Sequence, residues 1–127
     1  MNKKLVFKNR SPYNYSTILD LPECSGVYIF FNLAGVPIYV GLAKDQPIKR
    51  RLTRYLKFHE NHNPLLASYI RSSKFSIFFS YLCIKNKHDI RQIESFLIKK
   101  FQPIANNEVD KNRKLISNSF LNFKVVF

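Results

Sequence analysis

No apolar run in this chain approaches the roughly 20 residues that a membrane-spanning helix requires. Cysteine is scarce, with only Cys24 and Cys83. Behind the basic start Met1-Asn2-Lys3-Lys4, the apolar stretch is broken at once by Lys8, Asn9 and Arg10, which reads against a secretory signal. A cytoplasmic protein with reduced thiols is expected, rather than a disulfide framework. His59, His62 and His88 fall into no paired-ligand spacing with those cysteines, so no zinc site is expected. Neither an internal repeat nor a low-complexity linker is present. The 127 residues suffice for one core and not two, which gives a single domain over 1–127.

Acidic residues are also few: 8 Asp plus Glu stand against 21 Lys plus Arg, for a formal net charge of +13. A polyanion is the natural partner, because basic side chains release the counterions condensed on a phosphate backbone. An anionic membrane surface would answer the same charge. The pattern argues against it, since no helix pairs a wholly basic face with the broad apolar face of an interfacial anchor.

Residues 26–31, Gly-Val-Tyr-Ile-Phe-Phe, and 36–41, Val-Pro-Ile-Tyr-Val-Gly, are β-rich runs separated by Asn32-Leu33-Ala34-Gly35, and predict a hairpin. Pro37 lacks a ladder donor and belongs on an edge strand. A third strand is expected at 75–84. Three helices follow from apolar spacing and caps. One opens at Gln46-Pro47 and runs to about Phe58; a second starts from Asn63-Pro64 and carries Leu65, Leu66, Tyr69 and Ile70; a third runs from His88 or Asp89 to Phe101, before Pro103. Residues 1–20 read less clearly, and 120–127 fit a strand or a packed extension. The expected class is α/β (α+β): a small, mostly antiparallel three-stranded central sheet flanked by helices.

A turn at Leu33-Ala34, or a four-residue loop over 32–35, pairs positions summing to 67 and sets Tyr28 opposite Tyr39, so that two phenols converge. An aromatic pair of that kind also serves simply as sheet packing. Lys44, Lys49, Arg50, Arg51, Arg54 and Lys57 follow the hairpin as a dense basic run that suits phosphate, or a solvated helix face. Arg51 and Tyr55, spaced i, i+4, share a face beside the apolar stripe. Glu94 falls on or beside the buried stripe of the last helix. There it accepts an ion pair or, through oxygen, holds a hard divalent cation.

Gly26-Val27-Tyr28, ten residues, then Tyr39-Val40-Gly41, preceded by Leu21-Pro22, resembles the GIY-YIG signature and its lead-in. Lys49-Arg50-Arg51-Leu52-Thr53-Arg54-Tyr55 resembles the family's helix with a catalytic arginine and a following tyrosine. Glu94, the run Phe96 to Pro103 and then Asn106 resemble the segment with its metal-binding glutamate and C-terminal asparagine. The resemblance covers about 21–107 and is closest to the N-terminal nuclease domain of the excision-repair nuclease UvrC. It implies an endonuclease that hydrolyses DNA phosphodiester bonds with one Mg²⁺ or Mn²⁺ on Glu94. The implied catalytic residues are Tyr28, Tyr39, Arg51, Tyr55, Glu94 and Asn106. Water activation would fall to Tyr28, with Tyr39 near it, while Lys44, Lys49, Arg50, Arg54 and Lys57 bind DNA. Leu42 departs from the lysine that often follows the second signature in the repair enzyme, with Lys44 as a substitute cation, and Gln46-Pro47 is a small insertion. The competing readings are a catalytically impaired nucleic-acid-binding module on the same fold and an RNA-binding accessory protein whose aromatics stack bases. Cutting both strands with one site would need a dimer or two successive nicks.

Overall fold

The run from Gly26 to Phe31 is buried at every position, as befits a strand covered on both faces, where apolar residues need not alternate with polar ones. It is the fourth of ten elements in a computed structural model that describes residues 3–57, 63–72, 77–106 and 123–127. In order these are β1 (Lys3–Val6), β2 (Ser11–Pro12), α1 (Tyr15–Leu19), β3 (Gly26–Phe31), β4 (Pro37–Ala43), α2 (Ile48–Lys57), α3 (Pro64–Ser72), β5 (Phe78–Cys83), α4 (Lys87–Phe101) and β6 (Phe123–Val126). The expected α+β architecture is present. Its central sheet has the order β2-β5-β3-β4, so the three anticipated strands are joined by a fourth of two residues. β1 and β6 form a separate parallel pair with Lys3 opposite Phe123, so the described part of the expected tail segment is a strand over Phe123–Val126.

The three anticipated helices are α2, α3 and α4. Asn63 caps α3 as expected, its Oδ1 accepting from the Leu66 N–H at 3.0 Å, and α4 ends at Gln102 in the left-handed region just before Pro103. Phe58, His59, His62 and residues 73–76 and 107–122 lie outside the described residues.

The two sheet faces bury two cores. Tyr28 and Phe30, with Ala43, pack beneath α2 and α3 against Ile48, Leu52 and Leu66. Val27, Ile29, Phe31 and Val40 pack on α4 against Ile90, Ile93 and Leu97.

Two expectations are corrected. The hairpin does not set Tyr28 opposite Tyr39: Tyr28 faces Gly41 and Tyr39 faces Phe30. The turn is a three-residue loop, Leu33-Ala34-Gly35, with Gly35 at φ 83° and the Gly35 N–H donating to the Asn32 carbonyl at 2.9 Å. A further irregularity between Phe30 and Phe31 makes Ile38 an extra residue on β4, next to donor-less Pro37. Together these move the pairing sum from 67 to 69. The cysteines, expected reduced, form a Cys24–Cys83 disulfide with Cα atoms 5.6 Å apart. The β3–β5 register explains it, because Cys83 lies opposite Gly26 and the Ile84 N–H donates to the Ser25 carbonyl at 2.9 Å. The segment that carries Cys24 thus runs along the end of β5, a proximity that a sequence separation of 59 does not reveal.

Candidate active site

With the register shifted by two, Tyr28 and Tyr39 are diagonal neighbours on the same sheet face rather than directly opposed, with ring centroids 6.4 Å apart. The α2 helix lies over this face, where Ile48, Leu52 and Tyr55 form its buried stripe. Tyr55 brings its hydroxyl to 3.0 Å from that of Tyr28. Arg51, one turn earlier, holds its guanidinium carbon 5.6 Å from the centre of the Tyr55 ring. The spacing i, i+4 therefore does what the helix predicts, and adds a cation–π contact.

Four aromatic or cationic groups thus meet where β3, β4 and α2 touch. Burial pushes the Tyr28 phenol well above its ordinary pKa of 10, and the neighbouring phenols of Tyr55 and Tyr39 add to the rise. Tyr28 is fully enclosed, with no exposed surface. It therefore stays protonated at neutral pH and lies behind the site wall. Burial by itself works against the charge on Arg51, but the phenol oxygens of Tyr28 and Tyr55 oppose it and the net shift is upward, so the guanidinium remains charged.

A cleft of about 570 Å³ opens between α2 and α4 at the end of β4. Tyr39 and Arg51 line one side, and Glu94 of α4 lines the other. Glu94 itself is 3% exposed. Lys44, Arg50 and Arg91 bring further positive charge to the same cleft. Leu42 also lines it, packing against the α4-side core, so the leucine and the lysine two positions later share one cavity.

Asn106 is fully buried away from the cleft, where it acts on the backbone. Its Oδ1 accepts from the Val40 N–H at 2.8 Å and its Nδ2 donates to the Val40 carbonyl at 2.9 Å. The side-chain amide thus stands in for a neighbouring strand on β4, between Tyr39 and Gly41.

Not all the expected residues converge. Lys49 and Arg54 lie along a second groove on α2, the side chain of Lys57 is outside the described residues, and Arg50 borders both cavities. Two contributors escaped the sequence reading. Arg91 stands three residues before Glu94 and so shares its helix face, a spacing that would have revealed it. Tyr13 donates its hydroxyl to the Leu52 carbonyl at 2.6 Å and pins α2 from below; nothing local in the sequence signals this.

With the geometry in place, comparison with known proteins gives the family. The model of the UvrC-like GIY-YIG domain matches residues 24–107. The chain belongs to the UvrC-like GIY-YIG domain family. UvrABC system protein C of Rickettsia typhi is 38% identical over 91 residues, covering 72% of this chain and 13% of the relative. The counterpart from Rickettsia prowazekii is 37% identical over 89 residues, covering 70% and 13%. The chain therefore spans about 13% of the length of these curated relatives. Among solved structures, the GIY-YIG N-terminal endonuclease domain of UvrC from Thermotoga maritima, bound to magnesium as its catalytic divalent cation, is 35% identical. It matches with a TM-score of 0.55 over 72% of this chain and 92% of that one. A tyrosine-to-phenylalanine variant of the same domain, also bound to its catalytic divalent cation, is 32% identical with a TM-score of 0.57, over 72% and 91%.

The two GIY-YIG tripeptides need their glycines for different contacts. A Cβ at Gly26 would overlap the Leu82 carbonyl of β5, and one at Gly41 would overlap the Tyr28 ring.

Proposed function

We propose that this GIY-YIG domain is a metal-dependent endonuclease that hydrolyses DNA phosphodiester bonds. The observation that carries the reading is the convergence of a buried carboxylate, Glu94, a charged arginine, Arg51, and a cleft-facing phenol, Tyr39, on one cavity rimmed by Lys44, Arg50 and Arg91. Pure binding needs the cations but has no use for a buried carboxylate in their midst. The relative from Thermotoga maritima, solved with a catalytic divalent cation, supports the same chemistry. That domain was also solved with single replacements of three tyrosines and of one asparagine. The present site likewise gathers three tyrosines, Tyr28, Tyr39 and Tyr55, and one asparagine, Asn106.

The residues present fit Mg²⁺ or Mn²⁺. Glu94 offers hard carboxylate oxygen, and no group of three or more His, Cys, Asp or Glu occurs among the described residues to make an all-protein cage. Such a cation would be held through Glu94 and would leave room for water and substrate oxygen, as is usual for magnesium. When bound, the cation neutralises charge on the scissile phosphate and the leaving oxygen. Arg51 holds a second phosphate oxygen with its guanidinium fork. Tyr39, whose ring borders the cleft, orients the attacking water. Tyr28 keeps its proton and acts one step back, holding Tyr55 and hence the α2 face that bears Arg51. Asn106 fixes β4 beneath Tyr39.

DNA is the proposed partner and the cytoplasm the proposed setting; no helix among the described residues is long and apolar enough to cross a membrane. The test incubates the purified protein with plasmid and with branched DNAs, with Mg²⁺, with Mn²⁺ or with EDTA, beside Glu94→Gln. Metal-dependent nicking by the wild type is expected, with cleavage nearly lost and DNA affinity kept in Glu94→Gln. Cleavage at wild-type rate by a folded Glu94→Gln protein would refute the metal role and leave Glu94 as an ion-pair acceptor.

A further inference from the structure

The basic residues of α2 do not all serve the catalytic cleft. At 3.6 residues per turn, Lys49 and Arg51, two positions apart, point to opposite flanks of the helix. Arg51 borders the cleft. Lys49 borders a separate groove of about 700 Å³ on the other flank, shared with Glu23, Gln46, Arg50, Thr53 and Arg54. Gln46 and Arg50 line both cavities, so the two meet across the first turn of α2.

The groove is built, not a row of free lysines. Lys49 donates its Nζ to the Leu19 carbonyl at 3.0 Å, at the end of α1, and lies 3.9 Å from Glu23. Thr53 donates its hydroxyl to the Lys49 carbonyl at 2.7 Å. Leu19 and Glu23 precede the residues 24–107 that the family model matches. One wall of the groove therefore comes from a segment outside that match.

We propose that this groove is a second DNA-backbone site, occupied by phosphates on one flank of the scissile phosphate, with Arg50 carrying the strand across α2. The inference rests on the nuclease reading for the nature of its ligand. A helix with side chains is about 10–12 Å across, and a strand in duplex DNA advances about 3.4 Å per nucleotide. Because the strand also winds around the duplex axis, that span takes in only about two nucleotides, and the groove phosphates lie about that far from the bond that is cut, on one side only. Glu23 is a repulsive element in this path, and limits how tightly the flank is held.

The charges give the test opposite signs within one groove. Wild type, Lys49→Gln/Arg54→Gln, Arg54→Gln alone and Glu23→Gln are compared on an end-labelled 20-base-pair duplex, after their thermal unfolding midpoints confirm folding. In EDTA, the slope of log affinity against log salt should fall by about 2 in the double variant and by about 1 in Arg54→Gln. Glu23→Gln should bind roughly threefold more tightly at low salt, the scale of an exposed charge. With Mg²⁺, wild type should spare the last two or three phosphates at one end of each strand, and the double variant should lose that asymmetry. An unchanged salt slope in both the double variant and Arg54→Gln, or no tightening in Glu23→Gln, overturns the groove proposal. So does end-sparing that is symmetric in the wild type. If the slopes and the tightening appear while wild type cuts nothing, the nuclease reading fails and the groove stands as a DNA-binding site.

Discussion

The ring of Tyr28 lies against Gly41, its directly opposed partner on β4, so closely that a Cβ at Gly41 would overlap the phenol carbon and oxygen. The second signature glycine is therefore a seat for the first signature tyrosine. Gly41→Ala should push Tyr28 off its contact with Tyr55 and disturb Arg51 in turn. Overpacking of this kind costs about 1–3 kcal/mol. The expected outcome is a lower thermal midpoint together with cleavage slowed more than about tenfold, the equivalent of 1.4 kcal/mol on the barrier. An unchanged cleavage rate would show that the seat does not matter to the site.

The two signature tyrosines should separate in kinetics. Tyr39 borders the cleft, whereas Tyr28 is enclosed. Tyr39→Phe should slow single-turnover cleavage by about 10²-fold, typical of a group that handles a proton or its water. Tyr28→Phe removes one hydrogen bond, worth about 1 kcal/mol, and should slow the step less. Saturating protein removes binding from the comparison. A larger defect in Tyr28→Phe would return the water to the buried phenol.

Stability should fall at alkaline pH. Burial raises the phenols of Tyr28 and Tyr13 above the unfolded value near 10. Their folded pKa is raised, so above pH 10 the unfolded chain loses protons that the folded chain keeps. The contribution of each is whole below about pH 10 and declines above it, by about 1.4 kcal/mol per pH unit for each phenol. Unfolding midpoints measured from pH 8 to 12 should hold and then drop, with a shallower drop in Tyr28→Phe. A flat profile would contradict the burial of these hydroxyls.

Reduction should lower the stability of the fold. The Cys24–Cys83 bond closes a loop with a sequence separation of 59, for which constraint of the unfolded chain contributes about 2–4 kcal/mol. The Cys24 carbonyl also accepts the Ile48 N–H at 2.8 Å, in the first turn of α2. Thiol reductant, or Cys24→Ser with Cys83→Ser, should lower the unfolding midpoint by several degrees. An identical midpoint in oxidised and reduced protein would remove the disulfide from the account of stability.

Much of this arrangement was legible because it is local. The apolar spacing of Ile48, Leu52 and Tyr55, the cap at Asn63 and the stop at Pro103 each act within a turn or two, and the helices lie where those signals put them. Arg51 beside Tyr55 and Glu94 on a buried stripe follow from helical geometry in the same way. The hairpin register was misread because it depends on two subtle events: the left-handed Gly35 and the extra residue Ile38. A shift by an even number kept Tyr28 and Tyr39 on one face, so the site survived the error. The disulfide, the parallel β1–β6 pair and the Tyr13 clamp were hidden because each joins residues far apart in sequence.

β4 closes one side of its sheet, and an uncovered outer strand invites other chains to add to it. At Val40 both outward-facing backbone groups are already taken by the amide of Asn106, and Pro37 has no N–H to give. A strand arriving from outside finds its hydrogen-bonding rungs filled or missing beside Tyr39. The amide that fixes the site's floor also guards this protein against edge-to-edge aggregation.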